Sequence, residues 1–142
     1  MSSIQNKLTN IEGVYHLDMN IYVDDRGSFS RIFCDEEFKK NNLNIDWCQI
    51  NVSHTIPKGA IRGLHYQTKP FEEKKLIRCI NGKIFDVVVD IRKNSPTYGK
   101  FYKTELSSNQ NNAIVVHEGF AHGFQTLTEN VKILYFHSAP YS

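Results

Sequence analysis

The chain has 142 residues, a formal net charge of +2 and 23% charged residues, which fits a single domain large enough for a hydrophobic core. It contains no block of five or more Lys or Arg residues, so we expect no nucleic-acid partner. No apolar run reaches the roughly 18 residues that a membrane helix needs. The first ten residues lack the apolar core of a secretory signal, and we therefore expect no membrane association.

The cysteine pattern indicates the compartment. Cys34, Cys48 and Cys79 are an odd number of cysteines and lack the spacing of a metal site. Unpaired thiols are typical of proteins in a reducing compartment. We therefore expect a cytoplasmic protein with reduced cysteines.

Short strand-like runs fill the first half of the chain, and turn residues separate them. Asp24 to Gly27 form a turn between the runs 14–23 and 28–33. The segment 35–42 begins with acidic residues, which favours a helix of about two turns, the only one predicted. A further strand ends near residue 56, and another covers 60–67.

The second half continues the same pattern. The runs 74–80 and 83–92 flank Asn81-Gly82, a dipeptide that predicts a β-hairpin. Further strands are expected near 100–106, 113–117, 121–127 and 131–137. Many short strands with one short helix predict an all-β sandwich or barrel. A cupin-type jelly-roll barrel fits best, because small barrels of this kind enclose one ligand cavity.

Strand alternation assigns side chains to faces in two of these runs. In 83–92, the face of Phe85 and Val87 is predicted to be core, and the face that contains Asp86 and Asp90 is expected to contact solvent. In 60–67, His65 and Arg62 fall on opposite faces, and a β-bulge at Gly63 would bring Arg62 to the side of His65.

Six histidines in a predicted jelly roll raise the question of a metal site. Metal-binding cupins commonly supply a His-x-His pair, but Gln67 stands two residues after His65. One alternative remains open: His65, Glu72 and His122 forming a two-His, one-carboxylate site in a metal-dependent cupin. Without a metal, side chains alone must do the chemistry of the cavity.

Three segments, 61–67 (IRGLHYQ), 74–100 and 118–127 (EGFAHGFQTL), together resemble the dTDP-4-dehydrorhamnose 3,5-epimerase family. These are metal-free cupins that epimerise nucleotide-linked 4-keto sugars, and the likeness extends from about residue 24 to residue 142. The resemblance implies a homodimer with exchanged strands and no cofactor. It also implies a cytoplasmic role in making deoxysugars for surface polysaccharide such as the O-antigen of lipopolysaccharide.

The resemblance assigns three catalytic roles. His65 matches the base that removes a proton beside the ketone, Lys75 matches the lysine that stabilises the enolate, and Tyr135 matches the acid on the other face. Arg62 matches an arginine placed for the diphosphate. The other matches are substrate-binding residues: His122, which Asp86 is a candidate to orient, Gln49, Asn51, Tyr141 and, from across the dimer, Arg26.

The chain departs from the family pattern in two places. Relatives usually continue for some forty residues beyond the end of this chain, and that segment carries an aspartate that hydrogen-bonds the catalytic histidine. The single domain 1–142 is therefore expected to be C-terminally short, and a weak or inactive sugar-nucleotide-binding homologue is a second hypothesis. Many relatives also have glutamate at the position of Arg31, so the nucleotide base or the sugar need not be the usual one.

Overall fold

Twelve strands and one helix build residues 4–140, which are the residues that the computed structural model describes. The predicted all-β class with one short helix is confirmed. Two features were not predicted: the run 14–23 divides into two strands, and an additional strand lies near the N-terminus. The elements are β1 (Ile4–Leu8), β2 (Val14–Met19), β3 (Ile21–Asp24), β4 (Gly27–Ser30), α1 (Asp35–Lys40), β5 (Gln49–Thr55), β6 (Ile61–His65), β7 (Lys75–Asn81), β8 (Lys83–Asp90), β9 (Phe101–Ser107), β10 (Asn112–Val116), β11 (Phe120–Thr126) and β12 (Val131–His137).

The strands form two antiparallel sheets and a separate hairpin. The larger sheet has the order β1-β2-β10-β7-β12-β5, the smaller has the order β6-β11-β8-β9, and β3 pairs with β4. Side chains of both sheets share one core cluster, which includes Ile77 and Ile133 from the larger sheet and Val88 and Phe124 from the smaller. The two sheets therefore face each other as the layers of a jelly roll.

The predicted hairpin at Asn81-Gly82 is wrong. β7 pairs with β10 and β12, whereas β8 pairs with β9 and β11, so the two strands belong to different sheets. Gly82 has a φ of +88°, which favours glycine, but its turn carries the chain across the edge of the sandwich. This connection lets Ile77 of β7 and Val88 of β8 pack in the same core.

The predicted faces of β8 are reversed. Ile84, Asp86, Val88 and Asp90 are buried, whereas Phe85 is 39% exposed. The two acids tolerate burial because each has hydrogen-bond donors. Asp86 accepts from His122, and Asp90 accepts from the Arg92 guanidinium and from two hydroxyl groups.

The predicted bulge in β6 is present. Arg62 pairs with Phe124 and His65 pairs with His122, so two residues of β6 lie opposite the single residue Gly123 of β11. Gly63 has a φ of +106°, and a Cβ there would stand 2.7 Å from the Cα of Gly123. The bulge brings Arg62 and His65 to the same side of the sheet.

The helix covers the outer face of the larger sheet. Acidic residues occupy its first turn and Lys39 and Lys40 its last, as the helix dipole favours. Phe38 is buried in a second cluster with Leu76 and Phe136 of the sheet. No helix in residues 4–140 has both the length and the apolar character that crossing a membrane would require.

Candidate active site

A cavity of about 440 Å³ opens between the two sheets at one end of the sandwich. It is lined by β5, β7 and β12 of the larger sheet and by β6 and β11 of the smaller sheet. The lining residues are Asn51, Val52, Ser53, Arg62, His65, Lys75, His122, Gly123, Phe124, Tyr135 and His137. The cavity thus contains six of the ten residues proposed for the site, among them all three with a catalytic role.

The wall formed by the smaller sheet carries two histidines with different surroundings. His122 is buried, and its Nε2 donates to Oδ1 of the buried Asp86 at 2.6 Å. The predicted pairing of Asp86 with His122 is therefore present. His65 lies opposite His122 in the strand register but is exposed. Its ring has no side-chain hydrogen-bond partner among the described residues.

Arg62 stands on the same wall at the side of β5. Its Nε donates to Oγ1 of Thr55 at 2.8 Å, and its Nη2 donates to the carbonyl of His54 at 3.4 Å. These contacts hold the stem of the guanidinium while its remaining donors stay available for a ligand. Such a planar fork suits the oxygens of a phosphate group.

The wall formed by the larger sheet supplies an ammonium group and a phenol. Burial lowers the pKa of Lys75 below its ordinary value of 10.5, while the nearby carboxylates of Glu73 and Asp86 raise it. The hydroxyl of Tyr135 lies 3.1 Å from that of Ser53 on the neighbouring strand β5. Lys75 and Tyr135 therefore face His65 from the opposite wall of the cavity.

A second buried histidine–carboxylate pair lies on this wall, and the sequence analysis did not identify it. Nδ1 of His137 donates to Oε1 of Glu73 at 3.0 Å, and Nε2 of Gln67 donates to Oε2 of Glu73 at 2.8 Å. The ring of His137 is stacked against Tyr135 with 6.1 Å between centroids. The signal that would have found His137 is strand alternation, since it follows Tyr135 by two residues.

The other proposed residues lie at the margin of the cavity or outside it. Asn51 lines it and donates to Oε1 of Gln49, which is not itself a lining residue. Arg26 lies in the turn between β3 and β4, where it is 86% exposed and paired with Asp24. Tyr141 lies outside the described residues.

The alternative metal site is not assembled. Within residues 4–140, no group of three or more His, Cys, Asp or Glu side chains is arranged to hold a metal ion. The suggested set of His65, Glu72 and His122 is therefore not brought together.

The arrangement is suited to moving protons on both faces of a flat ligand. The imidazoles of His65 and His122 line one wall, and the phenol of Tyr135 and the ammonium group of Lys75 line the other. Groups of these types act as general bases and acids, and an ammonium group stabilises a developing oxyanion.

Comparison with known proteins identifies the family. The model of the family described as dTDP-4-dehydrorhamnose 3,5-epimerase matches residues 8–142. The chain belongs to this family. A dTDP-4-dehydrorhamnose 3,5-epimerase of Sinorhizobium fredii is 46% identical over 84% of this chain and 61% of its own length. The chain therefore spans less than two thirds of that relative.

Solved structures of dTDP-4-dehydrorhamnose 3,5-epimerase family members share the fold. An enzyme of Bacillus anthracis with TDP and PPi bound has a TM-score of 0.94 and 34% identity, over 98% of this chain and 79% of its own. A Legionella pneumophila epimerase in complex with dTDP-4-keto-L-rhamnose has a TM-score of 0.91 and 33% identity, over 98% and 73% of the two chains. These matches confirm the jelly-roll fold.

Proposed function

We propose that the chain epimerises C3, C5 or both in a nucleotide-diphosphate-linked 4-keto-6-deoxy sugar. The observation that carries this proposal is that His65 and Tyr135 lie on opposite walls of one cavity, with Lys75 on the same wall as Tyr135. Epimerisation inverts a carbon centre, so it requires proton removal on one face of the ring and proton delivery on the other.

The chemistry follows from the ketone at C4. The ketone acidifies the protons on C3 and C5, because the resulting carbanion is delocalised as an enolate. His65 acts as the general base and removes a proton from the face toward the smaller sheet. Tyr135 then donates its phenolic proton to the opposite face, which inverts the centre.

Charged groups hold the substrate and stabilise the intermediate. The ammonium group of Lys75 stabilises the enolate oxygen at C4. Arg62 binds the diphosphate, and His122, oriented by Asp86, contacts the sugar beside His65. Asn51 lies near the sugar and the phosphates, and Gln49 accepts a hydrogen bond from the Asn51 amide. The B. anthracis epimerase binds TDP and the L. pneumophila epimerase binds a dTDP-4-keto sugar, which supports this class of substrate.

Solvent exchange tests the proposal directly. The protein is incubated in D₂O with a dTDP-linked 4-keto-6-deoxy sugar, and deuterium at C3 and C5 is followed by NMR together with the product configuration. We expect deuterium incorporation with inversion. dTDP-glucose is the matched control, since it lacks the ketone and cannot exchange. Absence of both exchange and inversion, with the substrate bound, contradicts the epimerase proposal.

A second function has one observation in its favour. His65 has no carboxylate partner among residues 4–140, whereas His122 and His137 each have one. A carboxylate fixes the tautomer of a histidine base, and its neutralisation in a serine protease costs about 10⁴-fold in rate. The alternative is therefore a sugar-nucleotide-binding homologue with little activity, which binds substrate in the exchange experiment without deuterium incorporation.

We also infer a homodimer from the surface beside the cavity. β5 and β6 are edge strands of their sheets, and edge strands invite pairing with another chain. The candidate interface consists of the exposed apolar side chains on these two strands: Ile50, Val52, Ile61 and Leu64. Arg26, which is remote from the cavity of its own chain, would then reach the nucleotide in the cavity of the second copy.

Mixed dimers test the role of Arg26. Co-expressed Arg26→Ala and His65→Ala chains form a mixed dimer in which one cavity has both an intact His65 and an intact Arg26 from the other chain. If Arg26 acts across the dimer, this mixture recovers activity that neither variant shows alone. Lack of recovery in a verified mixed dimer contradicts the proposed role of Arg26.

The proposed cellular role follows from the substrate class. A 4-keto-6-deoxy sugar nucleotide is an intermediate of deoxysugar synthesis, which supplies surface polysaccharides such as O-antigen. We place this step in the cytoplasm, and the free thiols of Cys34, Cys48 and Cys79 support a reducing compartment.

A further inference from the structure

The Glu73 carboxylate is buried and held at both oxygens. Gln67 donates to Oε2, His137 donates to Oε1, and the side chain of Glu73 is only 3% exposed. A buried carboxylate is costly to keep ionised unless hydrogen bonds and a nearby cation compensate the lost hydration. His137 and Gln67 supply the hydrogen bonds, and the compensating cation is expected among the charged residues near Glu73.

Lys75 is a cation close to this network along the strands. It follows Glu73 by two residues, and it is the register partner of His137 between β7 and β12. Lys75 lines the cavity and forms no salt bridge with a carboxylate of residues 4–140. The charges of Lys75 and Glu73 lie close enough to influence each other without a direct ion pair.

We propose that Glu73, fixed by His137 and Gln67, is the counter-ion that keeps the ammonium group of Lys75 charged inside the cavity. Glu73 is thus a positioning residue that acts through Lys75. The inference rests on the proposed function, in which a charged Lys75 stabilises the enolate. The ionisation of Lys75 itself is measurable without substrate.

The balance of charges around Lys75 supports this assignment. Burial lowers the pKa of Lys75, and the carboxylates of Glu73 and Asp86, in that order of size, oppose the change. The titratable and charged groups that face Lys75 come from every surrounding element: Arg62 and His65 of β6, Glu73 before β7, Asp86 of β8, His122 of β11, and Tyr135 and His137 of β12.

The hydrogen bonds explain why a carboxylate can remain in this place. Without the two donors His137 and Gln67, the Glu73 side chain would be more stable if it turned to solvent. Each N–H donor favours the ionised form of the carboxyl group. The network therefore fixes the position of the Glu73 carboxylate.

An NMR titration tests the proposal. The protein is labelled with ¹³C and ¹⁵N lysine, the Lys75 signal is assigned from its absence in Lys75→Met, and the pKa of Lys75 is measured. We expect Glu73→Gln to shift the pKa of Lys75 downward, because the negative charge is lost while the shape is kept. Glu72→Gln is the matched control, one residue away and outside the network, and it should leave the pKa of Lys75 unchanged.

Two outcomes would overturn the inference. One is an equal pKa of Lys75 in wild type and in folded Glu73→Gln, and the other is an equal shift in Glu72→Gln. Since interactions between sites are reciprocal, Lys75→Met provides a second test if Glu73→Gln does not fold. It should raise the pKa of Glu73, read from the ¹³C shift of its carboxyl carbon, and an unchanged value contradicts the proposal.

Activity provides a separate readout. If the wild type is an epimerase, Glu73→Gln should lose activity at a lower pH on the alkaline side than wild type, because Lys75 loses its proton earlier. If wild type shows no exchange at all, the proposed function fails while the titration of Lys75 still decides the role of Glu73. A downward pKa shift with an unmoved alkaline limb would overturn the link between Lys75 charge and catalysis.

Discussion

β6 and β7 each supply a side chain to the proposed chemistry, but the two strands lie in opposite environments. β6 is an edge strand, all five of its residues are exposed, and a bulge interrupts its register. β7 is a central strand with neighbours on both sides, and four of its seven residues are buried. The proposed base therefore stands on the open strand and the proposed cation on the closed one.

The difference matches what each group has to do. A base that exchanges its proton with solvent between turnovers benefits from exposure, as His65 has. A cation that stabilises an oxyanion acts more strongly where water is excluded, because the effective dielectric constant is lower. The same exclusion lowers the pKa of Lys75, so β7 needs compensating carboxylates that β6 does not.

Removing the base from the open strand should have the largest effect. We expect His65→Ala to lower deuterium incorporation by about 10²- to 10⁴-fold, the range that general bases contribute. The measurement is NMR exchange in D₂O at saturating substrate. His54→Ala, which changes an exposed histidine on β5 outside the cavity lining, serves as the control. Exchange at the wild-type rate in His65→Ala would assign the base to another residue.

Removing the proposed acid from the wall formed by the larger sheet should separate deuterium exchange from inversion of the carbon centre. Tyr135→Phe keeps the base and the enolate-stabilising Lys75, so the enolate still forms and takes its proton back on the original face. We expect exchange to continue and inverted product to fall by about 10²-fold or more. Parallel NMR assays of deuterium content and product configuration distinguish the two. Full inversion in Tyr135→Phe would show that another group is the acid, and Tyr141 is the first to test.

Disturbing the bulge should reduce stability. Gly63→Ala places a Cβ 2.7 Å from the Cα of Gly123 at a φ of +106°, and we expect a loss of about 3 kcal/mol or more. Gly59→Ala measures the cost of backbone strain alone, since φ is +87° but no atom lies within 4 Å of the added Cβ. It should cost about 1–2 kcal/mol. Urea unfolding measures both, and equal losses would show that the close approach of the two strands costs nothing.

Removing the cation from the closed strand should change the pH dependence of stability. The pKa of Lys75 is lower in the folded state than its ordinary 10.5. Below the folded pKa, burial of the charge costs stability in full. As the pH rises from the folded pKa toward 10.5, the folded state loses its proton first, and the wild type gains stability. We therefore expect Lys75→Met to be more stable than wild type at pH 7.

That advantage of Lys75→Met should shrink as the pH approaches 10.5. Urea unfolding at pH 7, 9 and 10 measures it, and Lys132→Met, at an exposed position on β12, is the control. A constant difference between Lys75→Met and wild type across this range would contradict the lowered pKa.

The fold was predictable wherever a local signal decides it. The acidic start of α1 and the turn between β3 and β4 depend on neighbouring residues, and both were found. The connection at Gly82 was misassigned because Asn-Gly specifies a tight turn but not which sheet the next strand joins. The faces of β8 were predicted in reverse because two acids on its buried face depend on partners that alternation does not reveal. Asp86 pairs with His122, which lies on another strand, and Asp90 pairs with Arg92, which follows the end of β8.

The site was predictable to the extent that residues match family motifs. His65, Lys75, Tyr135 and Arg62 were found from the resemblance and do line one cavity. The pair of Glu73 and His137 was not found, because its members are 64 residues apart in the chain and no local pattern joins them. Only the pairing of β7 with β12 brings His137 beside Lys75.

The bulge in β6 makes the cavity depend far more on this strand than on the loop before it. Along an extended strand, side chains alternate between the two faces with a period of two residues, and the bulge inserts one extra residue between Arg62 and His65. Loss of the bulge with the same number of residues between Arg62 and His65 would turn one of the two side chains out of the cavity. The preceding loop, whose Gly59 contacts nothing at its Cβ position, can lengthen without that effect. Related sequences should therefore vary in length before residue 60, and those with two residues between the arginine and the histidine should keep the bulge.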